Sequence, residues 1–175
     1  MATVLETVGG AQFVAGYAGQ IADGEVTQID SFVNSGSTAL DFGIVVVRDT
    51  NDRTCKVMAA DTDQILGITV RHADKAADSS GNVKYAQYDS VPIMREGVVF
   101  VKAAEAVRRG DQVLVITAGG AGNTAAGALG GSKGGVAGSG RVAIPGMNAV
   151  WEDTVASGGI GRVRILTTGT ARTTT

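Results

Sequence analysis

The side chains best suited to catalysis are scarce in this chain of 175 residues: there is one histidine, His72, and one cysteine, Cys55. A Ser-His-Asp set needs that histidine beside a marked nucleophile, and no Gly-x-Ser-x-Gly elbow supplies one. His72 follows the apolar run Ile65–Val70 and precedes a polar stretch, so it reads as a surface histidine at a strand end. Structural zinc takes four Cys or His ligands, which one of each does not provide. Cys55 has no partner for an internal disulfide and reads as a small residue on a β surface. Carboxylates are the abundant reactive type. Asp49, Asp52, Asp61, Asp63, Asp74, Asp78 and Asp89 fall mostly in turn-like stretches, where Asp bonds nearby backbone. Spacing alone leaves open a carboxylate pair for glycoside hydrolysis. A calcium site near Asp49–Asp52 or Asp61–Asp63 lacks the dense alternation of an EF-hand loop.

Glycine motifs lead no further. Gly131-Ser-Lys-Gly134 departs from the Gly-Lys-Ser/Thr order of a P-loop, and no Gly-x-Gly-x-x-Gly opens a helix. Arg109-Gly-Asp111 spells an adhesion tripeptide, but a β-turn accounts for it. No cofactor or metal is expected, and no enzymatic activity.

The elements around these residues read as strands. Val, Ile and Thr dominate the regular segments, and branched side chains pack well on a pleated surface. Candidate strands lie at 25–33, 43–48, 53–58, 65–71, 83–87, 90–95, 97–102, 112–117 and 160–167. Ile44–Val47 is apolar throughout and predicts a strand buried on both faces. Val91–Met94 and Val98–Val101 flank Glu96-Gly97 and predict a hairpin, with Pro92 at an edge or a strand start. Lys102–Arg109 has helix formers but is too short and uncapped, and reads as a strand end plus a turn. The expected fold is all-β: an antiparallel sandwich, a jelly roll or a closed barrel, which spacing does not separate.

Composition bounds the rest. The chain has 26 Gly, 18% charged residues and 5% aromatics. A domain this long buries roughly 70% of its unfolded surface and needs no staple. The net charge of −2 lacks the basic excess of a nucleic-acid binder. No apolar run is long enough for a membrane helix, and the N-terminus lacks a signal-peptide pattern, so synthesis in a cytosol is expected. Residues 1–24 read as an N-terminal arm, 25–167 as one β domain, and 168–175 as a flexible tail. Residues 118–140 form a long Gly-rich loop too poor in apolar area to offset chain entropy. Phe13, Tyr17 and Ile21 recur every four residues, which fits one helical face or an extended arm.

Several strings resemble the structural cement (decoration) proteins of tailed-phage capsids. They are Asp41-Phe-Gly-Ile-Val-Val-Val-Arg48, Leu66-Gly-Ile-Thr-Val70, Val91–Val101 and Gly110-Asp-Gln-Val113. Gly19–Asp23, Asn34, Phe42-Gly43 and Arg162–Leu166 extend the match. The resemblance implies a virion protein on the outer capsid surface, bound to the major capsid protein and to copies of itself as a dimer or trimer. It would brace the shell against DNA pressure, without catalytic residues and without nucleic-acid or membrane contact. The arms would make the contacts, with Phe13, Tyr17, Ile21, Leu129, Lys133 and Val136 as candidates. The rival readings are a tail- or fibre-associated β-protein, a small β-barrel hydrolase, and a sugar-binding module, the last disfavoured by the scarce aromatics.

Overall fold

A computed structural model describes residues 16–22, 26–60, 62–75, 83–116, 129–131, 141–143 and 147–167. Five strands close a ring: β1 (Gln28–Asn34), β2 (Val45–Arg48), β3 (Thr54–Val57), β4 (Ile65–Thr69) and β5 (Ser90–Lys102). The order β1-β3-β2-β4-β5 returns to β1 through β1–β5 pairing, so the barrel has no free edge. All contacts in the ring are antiparallel except β1–β3.

β5 is one strand of thirteen residues, not the hairpin that Glu96-Gly97 predicts. Its halves find better partners far away in sequence: β1 and β4 for the first, β10 (Ile160–Thr167) for the second. Gly97 takes φ +125° between them, a conformation other residues rarely adopt. β9 (Met147–Trp151) pairs with β10. Through a bridge at Gln112–Val150 it meets the segment that enters β6 (Val113–Ile116). β6 is flanked by β7 (Leu129–Gly131) and β8 (Arg141–Ala143). The Gly-rich stretch is therefore not loop throughout, because three of its residues pair with Val113–Val115. Residues 83–87 shrink to a single bridge between Tyr85 and Leu40. Lys102–Arg109 is strand end and turn, and the described residues contain no helix.

Two cores share the barrel wall. Phe32, Val46, Cys55, Leu66 and Ile93 come one from each ring strand and fill the interior with Leu40 and Tyr85. Val45, Val47, Ile68 and Met94 point the other way and pack with Val99, Val163, Trp151 and Val115. β2 is thus buried on both faces, as its unbroken apolar run predicts. A bulge in β4, where Val46 faces Gly67 but Val47 faces Ile65, lets Leu66 turn into the barrel while Ile68 turns out.

Pro92 sits inside a doubly paired stretch rather than on an edge. The register Ile68–Met94, Thr69–Ile93 places it opposite Val70, whose N–H donates to the Pro92 carbonyl. The Val70 carbonyl, which proline cannot serve, accepts the Tyr85 hydroxyl instead. Tyr85 and Cys55 are fully buried, so Cys55 lies inside the barrel rather than on a β surface.

Burial pushes both acids up to about 12, from 10.0 for Tyr85 and 9.0 for Cys55. The folded state holds their neutral forms. That contribution to stability is whole below pH 9 and is lost as pH rises toward 12. The decline across that window should reach several kcal/mol, because each tenfold difference in proton affinity between the folded and unfolded chain is worth ~1.4 kcal/mol. Thermal melts between pH 8 and 11 check it. Cys55→Ala and Tyr85→Phe should each flatten the decline, and wild-type slopes in both variants would contradict the assignment.

Candidate functional site

Two of the seven aspartates that invited chemistry bond the backbone of their own turns, and Asp61 and Asp78 lie outside the described residues. Asp63 accepts the N–H groups of Ala59 and Ala60, and Asp89 that of Ala86. Asp111 accepts the Arg108 N–H, so the acid of the Arg-Gly-Asp string closes its own turn, with Gly110 at φ +87°. Asp49 is held below the usual carboxylate range by the Ser35 hydroxyl and by Lys56, and Asp153 by Arg162. His72 is exposed after β4 and pairs with Asp74. Among the described residues no group of three His, Cys, Asp or Glu is arranged to hold a metal ion.

The surface offers more than these carboxylates. Residues 16–22 are not helical, so Tyr17 and Ile21 do not share a helix face. They lie along β5 as an added edge: Gly19 N–H donates to the Phe100 carbonyl, Phe100 N–H to Gln20, and Ala22 N–H to Val98. Ile21 and Val99 form an antiparallel bridge. Two glycines make the seat. Gly19 at φ +79° and Gly43 at φ +71° meet backbone to backbone, and a Cβ on Gly43 would lie 2.8 Å from the Gly19 nitrogen. The Gly19 carbonyl then accepts the Arg71 N–H.

This seating leaves Tyr17 63% and Ile21 39% exposed, beside an open depression of about 430 Å³. Gln20, Arg71 and Ala73 complete its lining. The Arg71 guanidinium lies over the Tyr17 ring at 5.1 Å and over Phe42 at 5.8 Å from the ring centres. A second apolar surface runs along the outer side of β1, with Ile29 and Val33 partly exposed. Tyr88 stands 75% exposed in the turn next to it, with φ +69°, a left-handed conformation that costs a bulky residue about 1 kcal/mol or more.

Of the six residues picked from sequence, only Tyr17 and Ile21 come together in this way. Phe13, Lys133 and Val136 lie outside the described residues. Leu129 belongs to β7, with no described side chain. Arg71 and Tyr88 were missed. Nothing in the linear pattern marks Arg71, and an aromatic in the polar turn Gln87–Asp89 is the one hint for Tyr88.

Residues 5–166 match the family described as structural cement protein (E217 gp24/Pam3 gp6). The chain belongs to this family. It is a capsid cement protein, a component of the virus particle that binds the capsid shell. The cement protein is also similar to a chain in the solved structure titled "The capsid of Myoviridae Phage XM1". The TM-score is 0.67 at 20% identity, covering 94% of this chain and 97% of that one, which shows a shared fold. No curated protein matches the chain.

Proposed function

We propose that this cement protein sits on the outer face of the shell, contacts the major capsid protein across subunit boundaries, and does so as a homodimer or homotrimer at a symmetry or quasi-symmetry axis. It has no catalytic role. Family membership over residues 5–166 carries the reading. The surface supports it: exposed Tyr17 and Ile21 are fastened by backbone bonds to a closed barrel, so a partner meets side chains already in place. Interfaces of ordinary size bury roughly 800 Å² per partner. Repetition over a symmetric shell adds avidity to each modest contact.

The contacting segments are residues 1–24, 118–140 and 167–175, with Phe13, Tyr17, Ile21, Leu129, Lys133 and Val136 as the residues that touch the partner. The test is co-sedimentation of purified protein with capsids that lack it, followed by heating. Bound shells should open at a higher temperature than bare ones. Removing 1–15, 118–128 or 168–175, cuts that spare the strands and the β5 edge, should each lower occupancy. A full-length chain that stays in the supernatant would overturn the outer-surface reading. Undiminished binding by all three truncations would overturn a contact role for the removed stretches, Phe13 among them.

A further inference from the structure

Arg71 is a cation placed for a partner that the described residues do not provide. Arg48, Lys56, Lys84, Arg95 and Arg162 each meet a carboxylate, at Asp52, Asp49, Asp41, Asp30 and Asp153 respectively. Among the described residues Arg71 has no side-chain acceptor. Its contacts are the two aromatic rings and, through its backbone N–H, Gly19. Cation–π contact with Tyr17 and Phe42 is made to ring faces and engages no hydrogen-bond acceptor, so the guanidinium N–H donors have no acceptor side chain among the described residues. The side chain lines an open depression whose other walls are Tyr17, Gln20, Ile21 and Ala73. A planar fork of donors held by aromatic rings matches the two oxygens of a carboxylate, and such pairs are among the stronger hydrogen bonds. Tyr and Arg are also the residue types on which interface energy concentrates.

We propose that this depression is the seat of an Asp or Glu side chain of the major capsid protein, gripped by Arg71 with Tyr17 as the apolar wall. The inference rests on the cement reading and names one of its contacts. The seat exists because Gly19 and Gly43 press residues 17–22 against the start of the strand-to-loop exit at Arg71. The body of the protein, rather than an arm alone, then sets the register on the shell.

The experiment measures uptake by capsids that lack the protein, using wild type, Arg71→Gln, Arg71→Lys and Tyr17→Ala. Arg71 is exposed, so the variants should melt near the wild-type temperature. Arg71→Gln should weaken uptake at least about 10-fold and reduce its salt dependence. Arg71→Lys, bound at saturating concentration, is then treated with a carbodiimide, which joins an amine to a carboxylate in direct contact. Mass spectrometry of the linked peptides identifies the acid. A link from position 71 to the major capsid protein supports the seat. A link to Glu6, Asp23 or Glu25 of the same or another cement chain overturns it, as does equal uptake of wild type and Arg71→Gln. If wild type itself is not taken up, the cement reading fails and the seat falls with it.

Discussion

Gly67→Ala should be among the most damaging single substitutions in the protein, costing about 4 kcal/mol or more and lowering the melting temperature by roughly 8–15 °C. Gly67 stands at the β4 bulge with φ +156°, against the backbone of β5. A Cβ there would lie 2.2 Å from the Met94 carbonyl oxygen and 2.8 Å from Ile93 Cγ2. The first contact is backbone, so no rotamer change relieves it. β4 must back away from β5, which opens the ring and disturbs both cores at once. Thermal or denaturant unfolding of Gly67→Ala checks this, with Gly110→Ala as the comparison. Gly110 also has positive φ, but a Cβ there meets nothing within 4 Å, so it should cost only about 1 kcal/mol. Similar melting temperatures for the two would show that β4 and β5 do not pack as described.

Asn34→Asp comes second. Asn34 is fully buried at the end of β1, and its side-chain amide joins three segments. The two hydrogens of Nδ2 are shared among the carbonyls of Thr38, Tyr85 and Ala86, and Oδ1 accepts the Gly36 N–H. An aspartate would turn a donor into an anion facing carbonyl oxygens, away from water. The expected cost is about 3–5 kcal/mol at neutral pH. Burial and the carbonyls raise the folded-state pKa of the new carboxyl above its unfolded value of about 3.9, so the penalty should shrink as pH falls toward 4 and the group protonates. Asn34→Ala lacks that dependence and should cost about 2–4 kcal/mol at any pH, through the unpaired groups it leaves. Unfolding of both variants at pH 4.5 and 8 separates them. An Asn34→Asp that is no less stable at pH 8 than at 4.5 would contradict the network.

Both residues lie in the strings that resemble cement proteins, as do Gly19 and Gly43. Their common role is architectural: a bulge, a buried amide, and a backbone contact that seats the N-terminal segment. A family signature made of glycines, an asparagine and short apolar runs suits a protein whose main demand is a shape.

The amino-acid sequence by itself determined the all-β class, most strand positions, the double burial of β2 and the turn role of Asp63 and Asp89. Each follows from local chemistry: branched side chains, alternation, and the self-bonding of Asp. Tertiary structure alone decided that β5 is one strand, that the ring closes through β1, and that Tyr85 replaces the donor Pro92 lacks. It also decided that Arg71 comes within cation–π distance of Tyr17 and Phe42. Those outcomes depend on partners far apart in the chain, and local pattern carries no information about which distant edge a strand will choose. For function the same division holds. The scarcity of catalytic residue types is read from the residues themselves, while the exposed surface of Tyr17, Ile21 and Arg71 emerged only when residues 16–22 folded onto β5.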